Sequence, residues 1–326
     1  MLNTHITQSS AFAPATCANV AVGFDILGFA LADIGDTVTL TRHDKRECTL
    51  EISGITTDLP KNPHQNTATI GIVSLLNDLG LNDCGFHIHI HKGIPLASGM
   101  GGSAASAVAG MVALNAFLKK PLELSQLAKY ALMGEGVASL NAHPDNIIPS
   151  LYGGLTLSYQ TENLTPVILP TANLYCALVH PHLQISTSAA RAILSPTISL
   201  AQHSRQSAYL AGFIAGLFRQ DYDLIKYVLQ DILIEPQRAP SVTGFYAVKQ
   251  AALEAGALGA SLSGSGPSVF ALCANQCIAQ TTRDAMLAAF HQCGIGADGY
   301  VSEMGTQGAK IITTKRIDHE IYQHSQ

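Results

Sequence analysis

The chain has 326 residues, of which 47% are hydrophobic and 13% charged, and a formal net charge of −5. That length favours two domains, each able to bury an interior, and the composition excludes a disordered chain. A sparsely charged, net negative protein has no basic field to hold nucleic acid, so any phosphate-bearing ligand must be gripped locally, in a pocket. No stretch reaches the ~18 apolar residues of a membrane span, and the first thirty residues lack the pattern of a signal peptide. The default expectation is a cytoplasmic protein with no membrane partner.

In chain order, "DTVTLTRH" from Asp36, "CTLEIS" from Cys48 and "FHIHIH" from Phe86 alternate in the manner of strands and predict a β-rich opening unit. His87, His89 and His91 then share one face of a strand; a solvent-facing row is favoured over a metal site. From Ser103, "SAASAVAGMVALNAF" has helix formers with very small side chains, suited to close packing. A second helix is expected over about Leu122 to Leu132, with Pro121 at its start and Gly134 and Gly136, flanking Glu135, loosening its end. Pro166 and Pro170 mark the expected domain boundary, near residue 170.

Beyond that boundary, "YCALVHP" and "SVFALC" read as strands. "SLAQHSRQSAYLAGFIAGLF", with Leu210, Phe213, Ile214 and Leu217 on one face, reads as a helix, as do "FYAVKQAALEAG" and "TRDAMLAAFHQCG". Alternating strands and helices point to an α+β fold, a sheet with helices on one face. The seven cysteines, at 17, 48, 84, 176, 273, 277 and 293, are expected to be reduced and buried; Cys273 and Cys277 lack the partners of a zinc site.

One segment stands apart. "IPLASGMGGSAASA", Ile94 to Ala107, passes from a strand through three glycines into a helix. The N–H groups of a helix's first turn have no intrahelical partner, and glycines permit the positive φ and close approach that make an anion nest. It is neither G-x-x-x-x-G-K-[ST] nor G-x-G-x-x-G, so composition alone leaves a phosphate cradle and an ordinary turn equally open.

Pro95 to Ser106 resembles the P-x-x-x-G-L-G-S-S-A-A phosphate loop of the GHMP small-molecule kinases, with Met100 for the usual leucine and Gly102 for the first serine. "PATCANVAVGFDILGFAL" from Pro14 is similar to the amino-terminal motif of homoserine kinases, and "GASLSGSGPSVFAL" from Gly259 to the family's glycine-rich third motif. "AHPDN" from Ala142, "STSAARAIL" from Ser186 and "EPQR" from Glu235 fit the homoserine kinases in order and spacing. The resemblance implies two domains, residues 1–170 like ribosomal protein S5 domain 2 and binding ATP, and residues 171–326 a ferredoxin-like α/β sandwich. Homodimerisation, common in the family, is implied on the same basis alone.

The same resemblance implies that Pro95, Leu96, Ala97, Ser98, Gly99, Met100, Gly101, Gly102, Ser103, Ala104 and Ala105 cradle ATP, and that Asn66 lies near its base or ribose, a helix cap being the alternative. Ser103 and Glu135 would hold Mg²⁺, although Glu135 by itself reads as a solvated helix-end carboxylate. Lys92 would neutralise a phosphate or be a surface lysine. For L-homoserine, Asn19 and Asp25 would meet the ammonium, Arg191 and Arg238 the carboxylate, and His143 with Asn146 the reacting hydroxyl. Asn146 stands where several GHMP relatives carry an aspartate base, so the implied mechanism is direct in-line attack without a dedicated base, yielding O-phospho-L-homoserine for threonine biosynthesis. Asp145 is not cast as base, because neighbours on an extended chain point opposite ways. The alternatives are a GHMP kinase for another small hydroxyl substrate, or a catalytically silent ligand-binding member of the fold.

Overall fold

The computed structural model describes residues 2–138, 144–159 and 164–317. The first sheet contains β1 (Ile6–Ala18), β2 (Leu27–His43), β3 (Cys48–Gly54), β4 (Gly85–Lys92) and the short β5 (Leu155–Leu157) and β6 (Val167–Leu169). Its order is β11-β1-β2-β4-β3, with β5 on β2 and β6 on β5; β11 (Lys310–Arg316) comes from the far end of the chain. Helices α1 (Thr67–Asp78), α2 (Gly102–Asn115), α3 (Leu124–Ala138) and α4 (Pro144–Tyr152) pack with this sheet.

Strand alternation decides which face they cover. Val38, Leu40, Phe86, Ile88 and Ile90 are buried, whereas Thr37, Thr39, Thr41, His87, His89 and His91 take the opposite face. The histidine row is therefore as the spacing requires: Ser53 Oγ lies 2.8 Å from His89 Nε2 and 3.1 Å from His91 Nδ1. Among the described residues, no group of three or more His, Cys, Asp or Glu could hold a metal ion.

The second sheet, order β10-β7-β9-β8, joins β7 (Tyr175–Pro181), β8 (Gly259–Leu262), β9 (Val269–Cys273) and β10 (Ala297–Glu303), all antiparallel. Helices α9 (Phe245–Glu254) and α10 (Gln276–Gln292) cover one of its faces; α5 (Thr187–Ala192), α6 (Leu200–Arg219), α7 (Tyr222–Val228) and α8 (Glu235–Arg238) complete this part. The other face packs on the first sheet, where Phe29 and Phe270 meet edge to face at 6.3 Å, a geometry worth about 0.5–1.5 kcal/mol beyond area burial. The chain crosses between sheets after Leu169 and returns for β11, so its last described strand belongs with the first sheet. The α+β class is what the pattern predicts; the structure builds it from two helix-covered sheets.

Two expectations are corrected. Helix α3 does not end near Leu132 but continues through Gly134 to Ala138, because a Cβ on Gly134 would lie 2.1 Å from Thr67 O. Close packing against α1 outweighs the ~1 kcal/mol that a mid-helix glycine costs, and it sets Glu135 on the helix body. The cysteines are all free, but only Cys17, Cys176 and Cys273 are buried; Cys277 and Cys293 are exposed. Among the described residues, no helix is long and apolar enough to cross a membrane.

Candidate active site

The glycine-rich segment links β4 to α2 through left-handed residues at Ala97, Gly99 and Gly101 (φ 51°, 77° and 67°). Gly101 is the N-cap of α2 and supplies no capping side chain. The first intrahelical bond, Ala105 N–H to Gly101 O, spans 2.9 Å, so the earlier amides of α2 have no partner within the helix. The loop is latched from the second sheet: Ser263 Oγ donates to Gly99 O at 2.7 Å and Ser268 N–H to Ser98 O at 3.1 Å. The glycine-rich third motif thus bears directly on the loop it accompanies.

Pro95, Leu96, Ala97, Ser98, Gly99, Gly101, Gly102 and Ser103 line one cleft of about 170 Å³. Met100, Ala104 and Ala105 do not; their side chains are fully buried in the core and anchor the loop. Ser103 Oγ donates to Glu135 Oε2 at 2.7 Å, and both line the cleft. Burial raises the Glu135 carboxyl, while the Ser103 hydroxyl and the Lys92 charge oppose the shift. A hydroxyl and a carboxylate side by side, next to a phosphate-sized nest, suit a hard divalent cation such as Mg²⁺.

Lys92 requires correction, and Asn66 takes the capping role that was its alternative. Lys92 is 2% exposed, and its ammonium is used by Asp36 Oδ2, Gly102 O (2.9 Å) and Ser106 Oγ (2.8 Å). It is neither a surface lysine nor free to reach a phosphate; it ties the start of α2 to a buried ion pair. Asn66 caps α1, its Oδ1 accepting from Ala68 N–H at 3.0 Å and its Nδ2 donating to Pro60 O at 2.8 Å. Its side chain is committed to the cap and does not line the cleft.

At the other end, Asn19, Asp25, Arg191 and Arg238 converge on the same cleft, and Asn146 lines it beside Gly101 of the loop. Asp25 has φ 63°, held by its N–H to Asn19 Oδ1 at 3.1 Å, and its carboxylate pairs with Arg191 through two bonds of 2.7 and 2.8 Å. Asp25 accordingly raises the Arg191 pKa. Arg238, 4% exposed, donates to Ala190 O at 3.1 Å and Gly264 O at 2.9 Å. Both guanidinium groups lie over the Phe24 ring, at 4.8 and 5.3 Å. His143 lies outside the described residues.

Asp145 is the residue that sequence reasoning misjudged. Residues 144–152 are helical, not extended, so Asp145 and Asn146 both line the cleft. Its carboxyl is 4% exposed and is pushed up to about 7, chiefly by burial and then by Asp25 and Glu135, with Arg191 opposing. Pro144 at the first turn was the available signal for the helix. Thr187, Gly264 and Ser265 also line the cleft, each inside a motif the sequence had marked. Thr16, Phe24 and Asp36 were not anticipated in any role.

The sequence profile of the GHMP kinases N terminal domain matches residues 66–154, and that of the GHMP kinases C terminal matches residues 213–292. A homoserine kinase of Xylella fastidiosa (strain M12) is 46% identical over 306 residues, 94% of each chain. This chain belongs to the homoserine kinase branch of the GHMP kinases. A homoserine kinase of Chlorobaculum tepidum is 42% identical over 317 residues, covering 93% of this chain and 98% of its own. The crystal structure of homoserine kinase from Cytophaga hutchinsonii superposes with a TM-score of 0.89 at 44% identity, over 94% and 97% of the two chains. A mevalonate kinase from L. major shares the GHMP kinase fold, at TM-score 0.70 and 15% identity.

Proposed function

We propose that the protein transfers the γ-phosphoryl group of ATP to the hydroxyl of L-homoserine, forming O-phospho-L-homoserine for threonine biosynthesis. The observation that carries this reading is one cleft with two chemically distinct ends: an anion nest beside Ser103 and Glu135, and an Asp25–Arg191 pair beside Arg238. A zwitterion suits the second end. Its ammonium replaces Arg191 on Asp25 while its carboxylate replaces Asp25 on Arg191, so no unpaired charge is buried.

Residues 1–170 are assigned to ATP and residues 171–326 to the companion domain, with β11 completing the first sheet. Mg²⁺, when bound, neutralises phosphate charge, and Ser103 with Glu135 would hold it. The acceptor is oriented by Asp25 at one end and Asn146 at the other, which brings its hydroxyl in line with the nest. An amide does not take a proton at neutral pH, so the hydroxyl proton passes to phosphate or solvent, with catalysis by positioning and electrostatics.

Asp145 supports a second reading of that proton transfer. A buried carboxyl poised near 7 on the cleft wall has the ionisation of a general base. The two readings divide on Asp145→Asn: a small change in kcat supports transfer without a base, and a loss of orders of magnitude with a flattened pH profile supports Asp145. The main reading is tested by ADP release with homoserine, serine, mevalonate and galactose. Preference for any acceptor but homoserine removes the substrate assignment.

A further inference from the structure

Thr16 is fully buried on β1, behind the cleft wall, and three parts of the site meet at it. Its N–H donates to Met100 O at 3.0 Å, and its Oγ1 donates to Asn146 Oδ1 at 2.7 Å. A Cβ on Gly101 would lie 2.1 Å from Thr16 Oγ1 and 2.9 Å from Asn146 Oδ1. Strand β1, the glycine-rich loop and helix α4 therefore meet at one residue, the loop through the Thr16 backbone and α4 through its hydroxyl.

An asparagine amide has unlike ends, an acceptor oxygen and a donor NH₂, and its hydrogen-bond partners decide which way it faces. Here Oδ1 is turned toward Thr16 and the Gly101 backbone. Nδ2 is turned to the other side, 3.5 Å from Asp145 Oδ1 on the cleft wall. We infer that Thr16 is a positioning residue: with the Asp145 carboxylate accepting from Nδ2, its hydroxyl holds the Oδ1 end and keeps the Asn146 NH₂ toward the reacting atoms, while its backbone N–H ties that arrangement to the phosphate loop.

The inference rests on the proposed phosphotransfer. A donor aimed at a transferring phosphoryl group stabilises the charge on its oxygens, whereas a flipped amide would face them with a carbonyl oxygen and repel them. Thr16 touches neither the Asp25–Arg191 end nor the Ser103–Glu135 pair, so its loss should act on turnover rather than on binding. Nor is the hydroxyl explained by packing alone, since valine would fill the same volume.

The test compares Thr16→Val, which keeps the shape, with Thr16→Ser, which keeps the hydroxyl. Thr16→Val should lower kcat by about 10- to 100-fold, with KM for ATP and homoserine within about threefold, and Thr16→Ser should restore most of the rate. A Thr16→Val enzyme with wild-type kcat, or a Thr16→Ser enzyme as slow as Thr16→Val, overturns the inference. A second readout does not depend on turnover: the side-chain NH₂ resonances of ¹⁵N-labelled Asn146 should shift in Thr16→Val and hold in Thr16→Ser. If Thr16→Val does not fold, Thr16→Ala is compared with Thr16→Ser by the same resonances: they should shift in Thr16→Ala and hold in Thr16→Ser, and unmoved resonances in Thr16→Ala overturn the inference. Wild-type protein that releases no ADP with homoserine would instead remove the proposed function, while the amide resonances still decide the role of Thr16.

Discussion

Both carboxylate oxygens of Asp25 are held by Arg191, at 2.7 and 2.8 Å, and the backbone of Asp25 is left-handed to make this possible. An ammonium reaches this carboxylate by taking the place of Arg191, whose guanidinium then turns to the incoming carboxylate. Asp25→Asn should raise KM for homoserine by about tenfold or more, a charge-assisted bond being worth ~1.5–3 kcal/mol, with KM for ATP unchanged. Initial rates at varied homoserine and ATP check it. An unchanged homoserine KM would mean that the acceptor brings no cation to this site.

Lys92 and Asp36 form a buried ion pair beneath the start of α2. Lys92→Met leaves the Asp36 charge without its cation and should cost about 3–5 kcal/mol of stability, read from urea unfolding. Lys92→Met combined with Asp36→Leu should recover part of that loss, because no lone charge remains. A stable Lys92→Met protein with weakened ATP binding would return Lys92 to the phosphate.

Asp145 makes stability depend on pH in an unusual direction for an aspartate. Its folded-state pKa lies above the ordinary value, near 7 against 3.8, so the folded chain holds the proton that the unfolded chain gives up. The resulting stability is fully present below 3.8 and is lost as pH rises through about 7. Asp145→Asn should therefore match the wild type in thermal unfolding at the acid end and melt higher above neutrality. Equal melting temperatures at pH 8 would show that Asp145 ionises without penalty.

Glu135→Gln keeps the shape of the side chain beside Ser103 but removes its charge. The Mg²⁺ concentration for half-maximal rate should rise at least about tenfold, by the loss of one charge-assisted contact. A magnesium titration coincident with the wild type would place the cation elsewhere.

Adjacent glycines in the loop should respond differently. Gly101 is left-handed and a Cβ there would strike Thr16 Oγ1 at 2.1 Å, so Gly101→Ala should abolish turnover and lower stability. At Gly102 a Cβ would approach Ile94 Cγ2 at 3.2 Å, with no left-handed backbone to oppose it. Gly102→Ser should therefore keep rates within a few-fold of wild type, measured as kcat/KM for ATP.

Strand alternation made the faces of β2 and β4 legible, and apolar recurrence marked α6, because both signals are local. The fate of Lys92 was not legible, and the choice between the two roles of Asn66 was not either. They depend on partners brought up by folding, Asp36 from another strand and Pro60 from the preceding loop. Asp145 was lost with its helix: α4 has nine residues with Pro149 inside, too short for periodicity to declare itself. Asp25, Arg191 and Arg238 were found by motif resemblance, since nothing in their local sequence says that both arginines lie over Phe24 or that one of them pairs with Asp25.

Strand β11 sets Arg316 opposite Ile6, so the sheet that carries Thr16 is completed by almost the last residues described. During vectorial synthesis the outer edge of β1 must wait, unpaired, until residues 310–316 have emerged. A nascent chain stalled before residue 310 would expose that edge to other strands. The strand left open in that stalled chain is the one that anchors the phosphate loop through Thr16.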